Sequence, residues 1–155
     1  MKKRKVVLTY GTFDMFHVGH LRLLKRAKEF GDELIVAVST DKFNMKKNKK
    51  VLIPFEQRKE IVESVKYVDR CIAETTWEQK VEDIKRHNVD VLVMGDDWRG
   101  KFDYLNEYCE VIYVERTQNI STTQLKKSLT NFLSIPKEDI IKAFEVIEIL
   151  KSDLA

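Results

Sequence analysis

Residues 5–39 read KVVLTYGTFDMFHVGHLRLLKRAKEFGDELIVAVS. Three patterns succeed one another in this stretch. KVVLTY (5–10) is a short, β-rich apolar run and predicts a strand buried on both faces. Leu23, Leu24, Ala27 and Phe30 recur at helical spacing over 20–30, and Gly31 supplies the stop. ELIVAVS (33–39) predicts a second strand. A strand, a helix and a strand in so short a span point to a parallel pair joined by a crossover helix. The turn between the first strand and the helix, GTFDMFHVGH, holds His17 and His20, two of the chain's three histidines.

The alternation continues. STDKFNMKKNKKVLIP (39–54) is polar and lysine-rich and predicts a loop. A helix is predicted over 54–68, opened by Pro54, then a short strand RCIA (70–73) and a helix over 77–88. VDVLVMG (89–95) and EVIYVE (110–115) predict two more strands, and STTQLKKSLTNFL (121–133) a helix with hydroxyl residues able to cap it. The pattern predicts a single α/β domain, Rossmann-like, with a mainly parallel five-stranded sheet flanked by helices. Residues 135–154 predict one more helix, packed on the domain or on a second subunit, so 1–130 and 131–155 divide into a main part and a C-terminal extension.

Composition narrows the class. The chain has 155 residues, enough for a real core, with 43% apolar and 34% charged residues. No apolar run reaches the roughly 20 residues a membrane span needs. The basic start MKKRK leads into too short an apolar run for a secretory signal. Cys71 and Cys109 form no C-x-x-C pair and are read as ordinary buried thiols of a cytoplasmic protein. The net charge of +3, with lysines gathered in MKKNKK (45–50), suits a phosphate-bearing small molecule better than nucleic acid.

Ligands of such sheets bind beyond the carboxyl ends of the strands. GTFDMFHVGH, STDKF, GDDWRG and RTQNISTT all fall at those ends. At a helix start, unpaired N–H groups and the helix dipole favour an anion, and imidazoles there can donate to phosphate oxygens. Gly19 between the histidines permits close approach, and Gly11 and Thr12 could line the same site. The competing readings are two ordinary histidines, or zinc, which would need a further ligand that remote His87 does not obviously supply.

GTFDMFHVGH resembles the H-x-G-H signature of the nucleotidyltransferase superfamily, and RTQNISTT (116–123) resembles the R-T-x-G-I-S-T-T motif of the cytidylyltransferases. With YGTFD, STDKFN, RKEIVESVKYVD, WEQK and VMGDDW, residues 5–130 resemble the bacterial glycerol-3-phosphate cytidylyltransferase family. The resemblance implies a catalytic domain over 1–130 that converts CTP and sn-glycerol 3-phosphate to CDP-glycerol and diphosphate. It implies Mg²⁺ or another divalent cation, a homodimer, and a product that feeds teichoic acid or capsule polymers. A different small phosphate acceptor (phosphoethanolamine, phosphocholine or another alditol phosphate) and an inactive CTP-binding regulatory protein are the alternatives.

The resemblance also implies roles. His17, His20, Lys47 and Arg116 are the expected catalytic residues. Thr12, Phe13, Asp14, Lys49, Arg58, Asp97, Ser121 and Thr122 are expected at the nucleotide, with Asp14 also at the metal. Asp41, Lys47, Lys66 and Trp77 are expected at the acceptor, and Asp69 as a holder of cationic side chains. Each has a plainer reading: a solvated lysine run, a turn aspartate, a core tryptophan, a simple cap at Ser121 and Thr122. Two positions depart from the family. Lys66 stands for an arginine, which keeps the charge without the fork. Asn119 stands for a glycine, and asparagine tolerates a left-handed backbone better than most residues.

Overall fold

The computed structural model describes residues 4–153. The lysines at the head of the basic leader and the last position of the helix predicted to 154 lie outside them. Five parallel strands, β1 (Val6–Gly11), β2 (Glu33–Ser39), β3 (Arg70–Glu74), β4 (Val91–Gly95) and β5 (Glu110–Val114), form one sheet in the order β3-β2-β1-β4-β5. The crossovers carry α1 (Val18–Glu29), α2 (Asp41–Lys46), α3 (Phe55–Glu63) and α4 (Gln79–Arg86). The order runs outward from β1 in both directions, so the chain reverses between β1 and β4. That is the switch point where such sheets open a crevice.

Strand alternation sorts the core into two faces. Val6, Leu8 and Tyr10 of β1 pack with Ile35, Ala37, Leu92, Met94 and Ile84. Val7 packs on the other face with Leu34, Val36, Val93 and with Leu24, Ala27 and Val62 of α1 and α3. β1 is buried along almost its whole length, as its unbroken apolar run requires.

Three local expectations change. The segment expected to be a loop after β2 contains α2, whose N-cap Thr40 accepts from Phe43 N–H. The helix expected to reach 68 stops at Glu63 and continues as turns. Cys71 and Cys109 are free and half-buried rather than buried. Two short 3₁₀ turns, Asp96–Trp98 and Asp103–Glu107, fill the β4–β5 connection.

The described residues form two compact units, one running to Thr122 and one from Thr123. The second unit consists of α5 (Thr122–Leu133), which starts at the division, and α6 (Lys137–Asp153). Phe132, Leu133, Phe144 and Leu150 are exposed in it. Among the described residues no helix is long and apolar enough to cross a membrane.

Arg58 is the largest fully buried side chain, at 1% exposure. Its Nε donates to Ile53 O (2.8 Å), Nη1 to Thr12 O (2.6 Å) and Ser39 O (2.8 Å), and Nη2 to Asp41 (2.6 Å). Replacing it takes a donor from three carbonyls, of which Ser39 O keeps Asn44 Nδ2 at 3.3 Å. Arg58→Met should therefore lower unfolding free energy by about 3–5 kcal/mol in urea titration, whereas Lys59→Met, at an exposed salt bridge on the same helix, should cost under about 0.5 kcal/mol.

Candidate active site

The turn after β1 is conformationally expensive. Phe13 and Met15, flanking Asp14, sit at φ 54° and 50°, where non-glycine residues are uncommon. Side-chain anchors hold it there. Asp14 is buried, and its oxygens accept Leu52 N–H and Ile53 N–H, both at 2.9 Å. Thr12 Oγ1 donates to Asn44 Oδ1 (3.1 Å) and Thr12 O accepts from Arg58. Gly11 has no room for a side chain, since a Cβ would lie 2.8 Å from the Phe13 ring.

The turn delivers His17 to the N-cap of α1. Its Nδ1 accepts Gly19 N–H (3.0 Å), while His17 N–H donates to His20 Nδ1 (3.3 Å), a reciprocal capping box made of two imidazoles. The rings stack with centroids 3.9 Å apart. An Nδ1 that accepts cannot carry the proton, so both rings are fixed as the Nε2–H tautomer when neutral. Neutrality is favoured. Burial, then the neighbouring His17 and Lys49, push His20 down to about 3, and burial with the Arg116 charge lowers His17. Gly19 is required sterically, because a Cβ would stand 2.8 Å from His17 Cε1.

The second signature meets this turn at Thr122. Its hydroxyl donates to Asp14 O (2.9 Å) and lies 3.4 Å from His17 Nε2, placed to accept that ring's proton. Asn119 adopts φ 62°, the left-handed backbone expected of the residue replacing glycine. Arg116 and Asp97, both about half exposed, approach to 3.9 Å across the ends of β5 and β4. Ser121 is half-buried beside Thr122.

Beyond β2 and β3 the wall is cationic and aromatic. Lys47 is the C-cap of α2, not part of a solvated run. Its Nζ lies 3.1 Å from Ser39 Oγ, 4.2 Å over the Phe43 ring and 5.3 Å from that of Trp77. Burial lowers it to about 8, although Glu74 opposes the shift. Trp77 precedes α4 and meets Phe43 edge-on and Trp98 at 5.8 Å. Lys49 donates its backbone N–H to Asn44 O, and its charge bears on His20.

Sequence reading missed a buried polar cluster behind this wall. Lys80, 1% exposed, donates to Glu74 Oε1 (2.6 Å) and lies 4.1 Å from the Tyr10 ring centroid. Tyr10 donates to Asp83 (2.8 Å), which also accepts from Gln79. The available signal was on α4, where Lys80 and Asp83 occupy the same buried stripe as Ile84. Charged residues at apolar-stripe positions mark paired, buried chemistry.

Some expected site residues go elsewhere. α3 runs back from the carboxyl edge, so Lys66, in the turns after it, lies toward the opposite edge, where Asp69 accepts Leu34 N–H (2.7 Å) at the start of β2. Arg58 and Asp41 are bonded to each other, and Asp41 also caps α3 by accepting Phe55 N–H. Both hold the rim together. Among the described residues no three His, Cys, Asp or Glu side chains converge as a metal cage. With Asp14 bound to amides, the donor set suits a cation that arrives on a phosphate rather than a resident ion.

Comparison with known proteins is consistent with this geometry. Residues 8–148 match the family model described as cytidylyltransferase-like. The chain is 57% identical over 125 residues to a glycerol-3-phosphate cytidylyltransferase of Bacillus subtilis (strain 168), covering 81% of this chain and 97% of the relative. It is 55% identical to one from Staphylococcus aureus (strain NCTC 8325), covering 81% and 95%. A solved lipopolysaccharide core biosynthesis protein from Thermoplasma volcanium GSS1 shares the fold at TM-score 0.64 and 23% identity, covering 75% of this chain and all of that one.

Nitrogen NMR at pH 7 should show both histidines as Nε2–H tautomers. His20 should stay neutral until about pH 3. The unfolded chain binds that proton first, near the ordinary value of about 6.5. Stability should therefore fall as pH drops below about 6.5 and keep falling to about 3, where the folded state also protonates. His20→Asn should flatten that slope in urea titrations, and an unchanged slope would assign it to other groups.

Proposed function

Because the chain belongs to the cytidylyltransferase-like family, and within it to the glycerol-3-phosphate cytidylyltransferases, we propose that it makes CDP-glycerol and diphosphate from CTP and sn-glycerol 3-phosphate. The observation that carries the reading is the imidazole capping box at the N-terminus of α1, set against Thr122 of the second signature.

The acceptor phosphate is already a competent nucleophile, so the reaction needs no general base. An acceptor oxygen attacks the α-phosphorus of CTP in line. The bond to the bridging oxygen breaks, and its electron pair leaves with diphosphate. In this reading His17 and His20, neutral and tautomerically fixed, donate Nε2–H hydrogen bonds to phosphate oxygens. Donors fixed before the reaction cost no reorganisation as charge moves to the leaving group. Arg116 and Lys49 neutralise the triphosphate, and Ser121 and Thr122 cradle it. Thr12, Phe13 and Asp97 line the nucleotide crevice between β1 and β4. Asp14 and Arg58 act through the loops they anchor.

Lys47, Trp77 and Asp41 stand on the acceptor side, where Lys80 adds a second cation. Lys47, lowered only to about 8, remains mostly charged at neutral pH. Mg²⁺, or another divalent cation, bound to the triphosphate would neutralise its charge beside Asp14. Assembly as a homodimer, action in the cytoplasm and supply of glycerol phosphate to wall or capsule polymers complete the proposal.

The test is diphosphate release by the purified chain with Mg²⁺ and CTP across a panel of phosphate acceptors. Turnover is expected with glycerol 3-phosphate, with kcat reduced about 100-fold or more in His17→Ala. Gly19→Ala should also lose at least about tenfold, because the new methyl displaces the His17 ring. Turnover with a different acceptor alone would replace the substrate. CTP binding without turnover on any acceptor would favour a regulatory protein.

A further inference from the structure

Glu74 ends β3 with 2% of its surface exposed, and its two carboxylate oxygens serve two different lysines. Oε1 accepts from Lys80 Nζ at 2.6 Å. Oε2 accepts from the Ser39 hydroxyl, which is 3.1 Å from Lys47 Nζ, and Oε2 itself lies 3.9 Å from that ammonium. The Ser39 hydroxyl has one proton, which it gives to Glu74, so it accepts from Lys47. One buried anion thus carries two cations, one directly and one through a hydroxyl.

We infer that Glu74 is a positioning residue for acceptor binding, an internal carboxylate that stands in for the acceptor's phosphate and aims Lys47, through Ser39, and Lys80, directly, before the acceptor binds. The argument is electrostatic. Lys47 is half-buried over Phe43 and Trp77, and Lys80 lies among the rings of Tyr10, Trp77 and Phe102. Burial in such surroundings disfavours an ammonium unless an anion is near. The charged groups facing Lys47 are Glu74 from β3, Lys49 from the loop after α2, Lys80 from α4 and Arg58 from α3. Three are cations that oppose its charge, and Glu74 supports it. When a phosphate dianion enters, it takes over the countercharge, and Lys47 needs neither to be recruited nor to gain a proton. The task given to Lys47 rests on the cytidylyl-transfer reading, whereas its coupling to Glu74 does not.

The experiment compares full-length wild type with Glu74→Gln, Glu74→Asp and Ser39→Ala. Lysines are ¹³C-dimethylated and the free protein is followed by NMR, with Lys47→Arg assigning the resonance. The Lys47 titration midpoint should drop by about one pH unit in Glu74→Gln and return most of the way in Glu74→Asp. The alkaline limb of kcat/KM for the acceptor should move with it. Ser39→Ala, which leaves the Glu74–Lys80 pair intact, should shift the midpoint in the same direction by less and raise acceptor KM several-fold with little change in kcat. If Glu74→Gln does not fold, Ser39→Ala decides alone. A loss of activity in Glu74→Gln with midpoint and alkaline limb unmoved would mark Glu74 as merely structural and overturn the proposal, as would a Ser39→Ala protein with wild-type midpoint and KM. Should wild type turn over no acceptor, the assigned reaction fails, yet the NMR midpoints still decide the role of Glu74.

Discussion

One buried guanidinium sets the geometry on which the rest of the catalytic unit relies. Arg58 reaches from α3 under the carboxyl edge of the sheet and binds the carbonyls of Thr12, Ser39 and Ile53 together with Asp41. It thereby fastens the loops after β1 and β2 and the entry to its own helix at one point. A charge so deeply buried is tolerated because its Nε, Nη1 and Nη2 atoms all meet oxygens in fixed directions, which a lysine could not do. With those loops fixed, Asp14 can fasten the 52–53 segment, and the strained backbone at Phe13 and Met15 can be held.

The same economy governs the histidines. At most helix starts a Ser, Thr or Asp takes the unpaired amide. Here an imidazole does so, and the second imidazole returns the favour to the first. The caps consume both Nδ1 atoms and so define the one remaining polar atom of each ring as a donor. Burial keeps the rings neutral. In the proposed reaction neutral donors leave the cationic load to other side chains.

The fold was largely legible because periodicity reports it directly. Every strand appeared as an apolar run, and three short unbroken ones, in β1, β2 and β4, forced a sheet covered on both sides. Boundaries were less legible. α2 escaped because its lysines and asparagines mimic a loop, and only Phe43 and the Thr40 cap betray it. α3 ended early for a reason its pattern does not contain, the turns that carry the chain back toward β3.

For the site, the motifs pointed to one rim for His17, His20, Arg116 and Thr122, since each follows the carboxyl end of a strand. Asn119 could be read as left-handed from its chemistry, and it is. Tertiary structure decided which side chains are spent on scaffolding and which stay near the crevice. Arg58 and Lys66 carry the same sign and lie on one predicted helix segment, yet one is buried under the rim and the other is turned to the opposite edge. Glu74 and Lys80 were invisible as a pair, because each lies on a different element and neither sequence segment names its partner. Linear patterns encode which face of an element is buried. They do not encode which buried charge meets which, because that depends on a few ångströms of register between elements that only packing sets.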